Sequence, residues 1–386
     1  MNAKSSIERE ERRAASPDRR RFLRSAVSAG LALGATSAVA AAPKPLGKAA
    51  KVRVGVIGTD GHTDLVLGSI PSLPGVELVA FAKSRPEDDA AAVRRNKAFT
   101  DKTRIYEQFE PMLEREELDV VGVFLPYYLN AKASVAAARR GIHIVSEKPL
   151  ATTLADLAAL KEAVAESGVR LTSLMNMRCE PHYRAARQAV RDGLIGEPIL
   201  LTSQKSYKFG ASRPWFYKDL ETYGGSIPWA GIHSLDYMRW ASGREYVRVS
   251  AWHGNKDHLD YPGFQDHAGV LLKLDNGGTA MTNIDYLRPE TAPTHSDDRL
   301  RIAGSEGVVE VLGVDGRTVL MTASAGPQQL KLPEKVDFFA DFLAELAGKG
   351  KHLISQQDAF RMTEICLIAR NAAESGTWLD IPRPAS

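Results

Sequence analysis

Several residue types are too scarce in this sequence for the protein classes that depend on them. Only two of its 386 residues are cysteine, Cys179 and Cys366, which excludes a disulfide framework and a four-cysteine zinc site. The contents of 44% hydrophobic, 25% charged and 7% aromatic residues are ordinary for a globular protein. They exclude disordered, collagen-like and integral membrane chains. The length favours two domains.

The main part of the chain also lacks a block of basic residues. Residues 1–40 hold eight Lys and Arg against four acidic residues, whereas the remainder holds 42 against 43. A nearly neutral body argues against a nucleic-acid partner. The spacing of His253, His258 and His267 in loop-like sequence is more typical of surface residues than of ligands, so no metal site is expected.

The first forty residues are typical of an export signal. A charged stretch ends at Arg24, and a mildly apolar run over residues 26–42 ends in Ala-x-Ala cleavage options. The run is too weakly apolar to span a membrane, so no stable membrane insertion is expected. The string RRRFLR at residues 19–24 resembles the twin-arginine consensus, although Asp18 replaces the usual Ser or Thr. The alternative is a disordered basic tail.

Strand and helix patterns alternate up to about residue 172. This rhythm predicts an α/β fold with a doubly wound parallel sheet. The predicted strands are Lys51–Gly58, Val76–Ala82, Asp119–Leu125 and Ile142–Ser146, and the predicted helices are Leu65–Ile70, Pro86–Lys97, Ala131–Arg140 and Leu154–Glu166.

The pattern changes after residue 172 and predicts an α+β domain with a mainly antiparallel sheet. Its predicted helices are Pro181–Arg191, 335–346 and 356–374, and its strands include Pro198–Tyr207 and two hairpins. One hairpin turns at Asn276-Gly277-Gly278, whose residues tolerate positive φ, and the other turns at residues 304–307.

A glycine loop follows the first predicted strand and is a candidate cofactor site. The loop consists of Gly58, Thr59, Asp60, Gly61 and His62. A dinucleotide-binding fold needs glycine here, because its backbone approaches the pyrophosphate at a helix N-terminus. The full GxGxxG pattern is absent, since Asp60 and Thr63 stand at its second and third glycine positions. An ordinary βα turn is therefore the alternative.

The second predicted strand ends in Lys83, Ser84 and Arg85 instead of an acid. An acid at this point would bind the ribose 2′-hydroxyl of NAD. Two cations and a hydroxyl suit a 2′-phosphate, so the sequence favours NADP over NAD. A solvated loop is the alternative interpretation.

The strand that ends in Glu147-Lys148-Pro149 resembles the Gfo/Idh/MocA family of oxidoreductases. Further blocks follow in the family's order, and the similarity covers roughly residues 51–382. These blocks are Asn176-Met177-Arg178, residues 193–198, Trp215, Gly231 to Asp236, and a closing pattern from Phe338 to Gly376.

The resemblance implies a Rossmann domain that binds NADP or NAD, and a C-terminal α+β domain whose open sheet carries the substrate site and packs in homo-oligomers. Lys148 and His233 match the family's catalytic residues, and a cis peptide bond is implied before Pro149. The predicted cofactor-binding residues are Gly58, Thr59, Asp60, Gly61, His62, Lys83, Ser84, Arg85, Pro126, Glu147 and Lys148. The predicted substrate-binding residues are Arg178, Trp215, Trp229, His233 and Asp236.

The chemistry of the two matched residues agrees with alcohol oxidation. Imidazole has a suitable pKa for a base that takes the hydroxyl proton, and an ammonium favours negative charge developing on the oxygen. Taken alone, Lys148 could be a solvated lysine at a strand end and His233 a hydrogen-bonded core histidine.

Two residues depart from the family pattern. Trp229 stands four residues before His233, where the family usually carries an aspartate, and either stacks on a sugar or fills core space. Asn130 stands where the family often has histidine. These departures keep two alternatives open, which are a redox-neutral NAD-dependent glycosidase and a non-catalytic sugar- or nucleotide-binding relative.

The sequence therefore predicts an exported NAD(P)-dependent oxidoreductase that acts on a sugar or polyol and holds NADP tightly. The expected location is the periplasm or the medium, and the expected partner is a small carbohydrate. The predicted segments are a signal peptide at 1–40, a linker at 41–50, a Rossmann domain at 51–172 and a substrate and oligomerisation domain at 173–386.

The export hypothesis can be tested on the arginine pair. Replacing Arg19 and Arg20 together by lysine should trap the precursor in the cytoplasm, because lysine does not reproduce the guanidinium fork. Cell fractionation and immunoblotting measure the outcome. Mature protein that still reaches the periplasm would contradict twin-arginine export.

Overall fold

The computed structural model describes residues 51–88 and 90–383. The predicted signal peptide at 1–40 and the linker at 41–50 precede this part of the chain, and both lie outside the described residues. Within the described ranges, no helix is long and apolar enough to cross a bilayer.

Six parallel strands form the first sheet, in the order β3-β2-β1-β4-β5-β6. This is the doubly wound order, and it reverses between β1 and β4, where the carboxyl ends of the strands open a crevice. Every residue of β4 and β5 is buried, as expected for strands covered on both faces. The strands are β1 Val52–Ile57, β2 Val76–Ala82, β3 Arg104–Tyr106, β4 Val120–Val123, β5 His143–Ser146 and β6 Leu171–Ser173.

Five helices accompany this sheet, and one of them is much shorter than predicted. The helix expected over Pro86–Lys97 is reduced to the single turn α2, because Asp88 accepts hydrogen bonds from the backbone and guanidinium of Arg85 and closes a turn there. The elements β3, α3 and β6 were not predicted from the sequence. The helices are α1 Asp64–Leu67, α2 Ala91–Arg94, α3 Phe109–Arg115, α4 Asn130–Ala138 and α5 Leu154–Ser167.

Nine strands form the second sheet, in the order β14-β13-β12-β11-β7-β10-β9-β8-β15. All neighbours are antiparallel except β7 and β10, and both predicted hairpins form, β9–β10 and β11–β12. The fold class is therefore confirmed. The strands are β7 Pro198–Tyr207, β8 Tyr246–Gly254, β9 His267–Leu274, β10 Thr279–Asp285, β11 Ser296–Gly304, β12 Gly307–Leu312, β13 Arg317–Thr322, β14 Ala325–Gln329 and β15 Leu379–Asp380.

One face of the second sheet is covered by helices. Helix α8 packs on β7 and β11, and α10 packs on β8. Side chains of β9 and β10 alternate between buried and exposed, which leaves the opposite face open. A π-helix over Ile227–Gly231 runs directly into α8. The helices are α6 Pro181–Arg191, α7 Leu220–Tyr223, α8 Ile232–Ser242, α9 Phe338–Leu346 and α10 Gln356–Ser375.

A buried ion-pair network joins three segments beneath the second sheet. The guanidinium of Arg178 donates to Asp236 on α8 at 2.9 Å and to Asp358 on α10 at 2.7 Å. Burial alone would raise the pKa of Asp358, but Arg178 and Arg239 outweigh it and hold that pKa at about 2. Arg178 and Asp236 were expected to bind substrate. Both are buried and bonded to each other, so the structure gives them a structural role instead.

Candidate functional site

Three chain segments meet at the crevice where the strand order reverses. The backbone N–H of Asp60, in the loop after β1, donates to the carbonyl of Phe124 after β4 at 2.8 Å. The N–H of Glu147, after β5, donates to the carbonyl of Val123 at 2.8 Å. The loop that follows β1, the turn that leads to Pro126 and the Glu147-Lys148 pair therefore form one wall.

Glycine is required at two positions of the loop after β1. Gly58 has a φ of +75°, and a Cβ there would lie 2.2 Å from the carbonyl oxygen of Phe124. Gly61 has a φ of +105°, and its Cβ would lie 2.3 Å from the carboxylate of Glu147. The loop departs from GxGxxG, yet it keeps the close backbone approaches that glycine permits.

The carboxylate of Glu147 binds His62 through both backbone and ring. It accepts from the backbone N–H of His62 at 2.7 Å, and its two oxygens lie 3.2 and 3.1 Å from the ring Nδ1. Burial alone would raise the pKa of Glu147, but His62 and Lys148 lower it on balance. Glu147 is therefore an ionised, fully buried carboxylate that fixes the loop.

Lys148 is a buried lysine whose ion pair with Glu147 is long. Its Nζ lies 2.9 Å from the centroid of the Trp229 ring and 3.8 Å from Glu147. Burial lowers the pKa of Lys148 to about 7, although the charge of Glu147 opposes this shift. The amine is therefore present both protonated and neutral near pH 7. The Lys148–Pro149 peptide bond is cis, as the resemblance implies.

His233 lies in the first turn of α8 and is buried. Its Nδ1 has no hydrogen-bond partner among the described residues. Burial lowers the pKa of His233 well below its usual value, and the nearby Lys148 adds to the shift. The ring lies 6.4 Å from that of His62, measured between centroids. A neutral imidazole with an unsatisfied nitrogen beside this crevice suits a ligand hydroxyl.

Trp229 belongs to an aromatic wall and has no free face for a sugar. Its ring stacks on Tyr127 at 4.1 Å with an interplanar angle of 17°, and Lys148 covers the other face. Only 8% of Trp229 is exposed. The hydroxyl of Tyr127 bonds that of Tyr217 at 2.7 Å, which anchors the stack. The expectation that Trp229 stacks on a sugar is therefore replaced by a packing role.

The cations expected to bind a 2′-phosphate have partners of their own. Lys83 bonds Glu107 at 2.8 Å and the carbonyl of Pro86 at 2.9 Å. Arg85 bonds Asp88 at 2.7 Å and lies over the ring of Trp215 at 5.6 Å. The charges of Lys83 and Arg85 are therefore partly balanced by Glu107 and Asp88, although these ion pairs are partly exposed to solvent. Trp215, expected to bind substrate, is 45% exposed and lies against Arg85.

Asp60 reaches the end of β2 from the glycine loop. The hydroxyl of Ser84 donates to its carboxylate at 2.9 Å. Burial raises the pKa of Asp60 to about 6, although the Ser84 bond opposes this shift. The structure thus places a carboxylate close to the position of the acid that binds the ribose in NAD-binding folds. That acid usually ends the second strand, whereas Asp60 lies in the loop after β1. Thr59 lies beside it in the same loop.

Asn130 and Tyr127 are site residues whose roles the sequence analysis missed. Buried Asn130 accepts from the N–H of Leu125 at 3.2 Å and donates to the carbonyl of Pro149 at 3.3 Å, so it ties the ends of β4 and β5 together. The departure at Asn130 was visible in the sequence, but its bonding was not. The available signal for Tyr127 was its position directly after Pro126.

The residues of the crevice fit NAD(P). The glycine loop lies where the strand order reverses, which is the place where doubly wound folds bind dinucleotides, and the ring of His233 lies 6.4 Å from that of His62 in this loop. Gly58, Gly61 and the neighbouring backbone would hold the dinucleotide. Among residues 51–88 and 90–383, no group of three or more His, Cys, Asp or Glu is arranged to hold a metal ion.

Comparison with known proteins agrees with this geometry. Residues 52–174 match the model of an oxidoreductase family with an NAD-binding Rossmann fold, and residues 183–310 match the GFO/IDH/MocA C-terminal domain. The solved structure of a candidate oxidoreductase from Thermotoga maritima is 36% identical, with a TM-score of 0.80 over 86% of this chain and 100% of the other. The chain belongs to the Gfo/Idh/MocA family of NAD(P)-dependent oxidoreductases.

Two members of the family with named activities are similar over most of their own length. The scyllo-inositol 2-dehydrogenase (NAD(+)) of Bacillus subtilis is 27% identical over 81% of this chain and 92% of its own. The D-xylose 1-dehydrogenase (NADP(+)) 2 of Haloferax volcanii is 29% identical over 61% of this chain and 70% of its own. The family therefore includes proteins named for either cofactor.

The glycine loop can be tested with a matched pair of substitutions. Gly193→Ala should lower the free energy of unfolding by about 1 kcal/mol, because φ is +75° there but a Cβ meets nothing within 4 Å. Gly61→Ala should cost roughly 3 kcal/mol more, because its Cβ displaces Glu147 from charged hydrogen bonds. Urea unfolding measures both. Equal losses in the free energy of unfolding would show that the hydrogen bonds of Glu147 do not require glycine at position 61.

Proposed function

We propose that the protein is an exported oxidoreductase that transfers a hydride between a carbinol carbon of a sugar or polyol and bound NAD(P). The observation that carries this proposal is the juxtaposition of the Lys148 amine and the unsatisfied His233 imidazole at the crevice. The names of the inositol and xylose dehydrogenases support a substrate with several hydroxyls. The export part depends on the sequence motif at residues 19–24.

Lys148 and His233 have different roles in binding the oxygen atoms of the substrate. The bound nicotinamide supplies the hydride acceptor. Lys148, protonated, donates a hydrogen bond to the reacting oxygen and favours its developing negative charge. The cation also stays close to the face of Trp229, which limits its desolvation cost. Neutral His233 bonds a hydroxyl through Nδ1 and so orients the sugar.

For the cofactor, the contacts at the end of β2 support NAD over NADP. A 2′-phosphate placed near Ser84 would meet the carboxylate of Asp60, whereas a ribose 2′-hydroxyl could donate to it. An exported enzyme would also need to keep one NAD(P) bound through turnover, because the bacterial cell envelope has no pool of dinucleotide to replace a released one. A second substrate must then reoxidise the bound cofactor in the same crevice.

The open face of the second sheet supports a homo-oligomer. Four large apolar side chains are exposed on its strands, and they are Ile199, Trp252, Leu271 and Met281. An exposed apolar patch of this kind is typical of a protein interface. A second copy of the chain would cover it.

Substitution of the two central residues tests the proposed function. Lys148→Ala and His233→Ala should each lower turnover by at least about 100-fold, because the first removes a donor to the reacting oxygen and the second removes a group that positions the substrate. His253→Ala is the matched control, since its Nδ1 is also buried without a partner but lies on β8. Turnover is followed as NAD(P)H absorbance on a panel of sugars and polyols.

Folding and nucleotide binding should be retained in all three variants. Near-normal turnover in Lys148→Ala or His233→Ala would remove that residue from the mechanism. Cleavage of a glycoside with no net change in nucleotide would instead favour the glycosidase alternative.

A further inference from the structure

The site still lacks a group that can carry a proton between the substrate and water. The family's usual aspartate is absent, and Trp229, which stands in its place, cannot accept a proton. His233 is buried, and its lowered pKa disfavours the imidazolium. Lys148 is also buried, so neither of these groups exchanges protons readily with solvent.

His62 has the exposure and the contacts that the other two groups lack. Its side chain is 41% exposed, and its ring centroid lies 5.8 Å from that of Trp229 and 6.4 Å from that of His233. The ring of His62 therefore lies between the solvent and the side chains of Trp229 and His233. The ionisable groups around it are Glu147 and Lys148 after β5, His233 on α8, and Asp60 in its own loop.

The hydrogen bonding of His62 determines its neutral tautomer. Nδ1 faces both oxygens of Glu147, an ionised carboxylate that can only accept hydrogen bonds. Nδ1 must therefore carry the proton, which leaves a lone pair on Nε2. Nε2 has no hydrogen-bond partner within the described residues. The same carboxylate accepts the backbone N–H at 2.7 Å and so fixes the position of the ring.

We propose that His62 is the catalytic acid–base residue of this enzyme, replacing the missing aspartate, with Glu147 as its positioning residue. The inference rests on the proposed function. In oxidation, the substrate O–H bond breaks and its proton passes to Nε2. The carbinol C–H bond breaks and the carbonyl forms, and a bound oxidised nicotinamide would accept the hydride. Glu147 balances the charge of the imidazolium, which then releases the proton to solvent. Reduction runs the same steps backwards.

The tautomer provides a test that does not depend on turnover. Long-range ¹H–¹⁵N spectra of the ¹⁵N-labelled protein distinguish the two ring nitrogens, and comparison with His62→Gln assigns the signal. The expected neutral ring has a protonated Nδ1 and a bare Nε2. A neutral ring that carries its proton on Nε2 would overturn the proposal, because it could not accept the substrate proton.

Kinetics provide the second test. His62→Gln should lower kcat by at least about 100-fold, because the amide can bond Glu147 but cannot take a proton. KM and NADH affinity should change less than about 3-fold. His267→Gln is the matched control, since His267 pairs with Asp266 at 2.5 Å and has a similar exposure, at the start of β9.

The outcomes separate this inference from the proposed function. A fall in kcat for His62→Gln, with His267→Gln unchanged, supports His62 as the acid–base. Unchanged kcat in His62→Gln overturns it while leaving the oxidoreductase function intact. Absence of turnover in the wild-type protein across the whole panel contradicts the proposed function. In that case the ¹H–¹⁵N spectra still show whether Nε2 of His62 is free to accept a proton.

Discussion

The buried carboxylate of Glu147 joins the glycine loop to the end of β5, and the site depends on that bond. The contact requires Gly61, because any Cβ there would lie 2.3 Å from the carboxylate oxygen. The same carboxylate fixes the position of His62, and Lys148 is the next residue in the chain. A buried charge is costly unless it is paired and hydrogen-bonded, so the loop and the strand end hold one another in place.

The aromatic wall explains how the site accommodates tryptophan where the family has an acid. Trp229 is held between Tyr127 and the Lys148 amine, so the lysine lies over a ring face instead of beside a second carboxylate. Burial then lowers the pKa of Lys148 to about 7, although the charge of Glu147 at 3.8 Å opposes the shift. Tryptophan at this position therefore gives Lys148 an aromatic neighbour where an aspartate would give it a second carboxylate.

The fold was largely predictable from the sequence, and the site was predictable only in part. Continuous apolar strands and the Asn-Gly-Gly turn predict the two sheets, because local periodicity and turn residues carry that information. Long-range pairing does not appear in local sequence. The bond between His62 and Glu147 spans 85 positions, and the carboxylate partners of Lys83 and Arg85 became visible only in the structure.

The central claim is that this crevice holds a dinucleotide and uses it for hydride transfer. The most direct measurement is to dialyse the purified protein extensively, denature it, and identify the released nucleotide by mass spectrometry. About one NAD(H) or NADP(H) per chain is expected, and its absorbance in the intact protein should fall and return as oxidised and reduced sugars are added in turn. A protein that releases no nucleotide and binds neither added NADH nor added NADPH would contradict it.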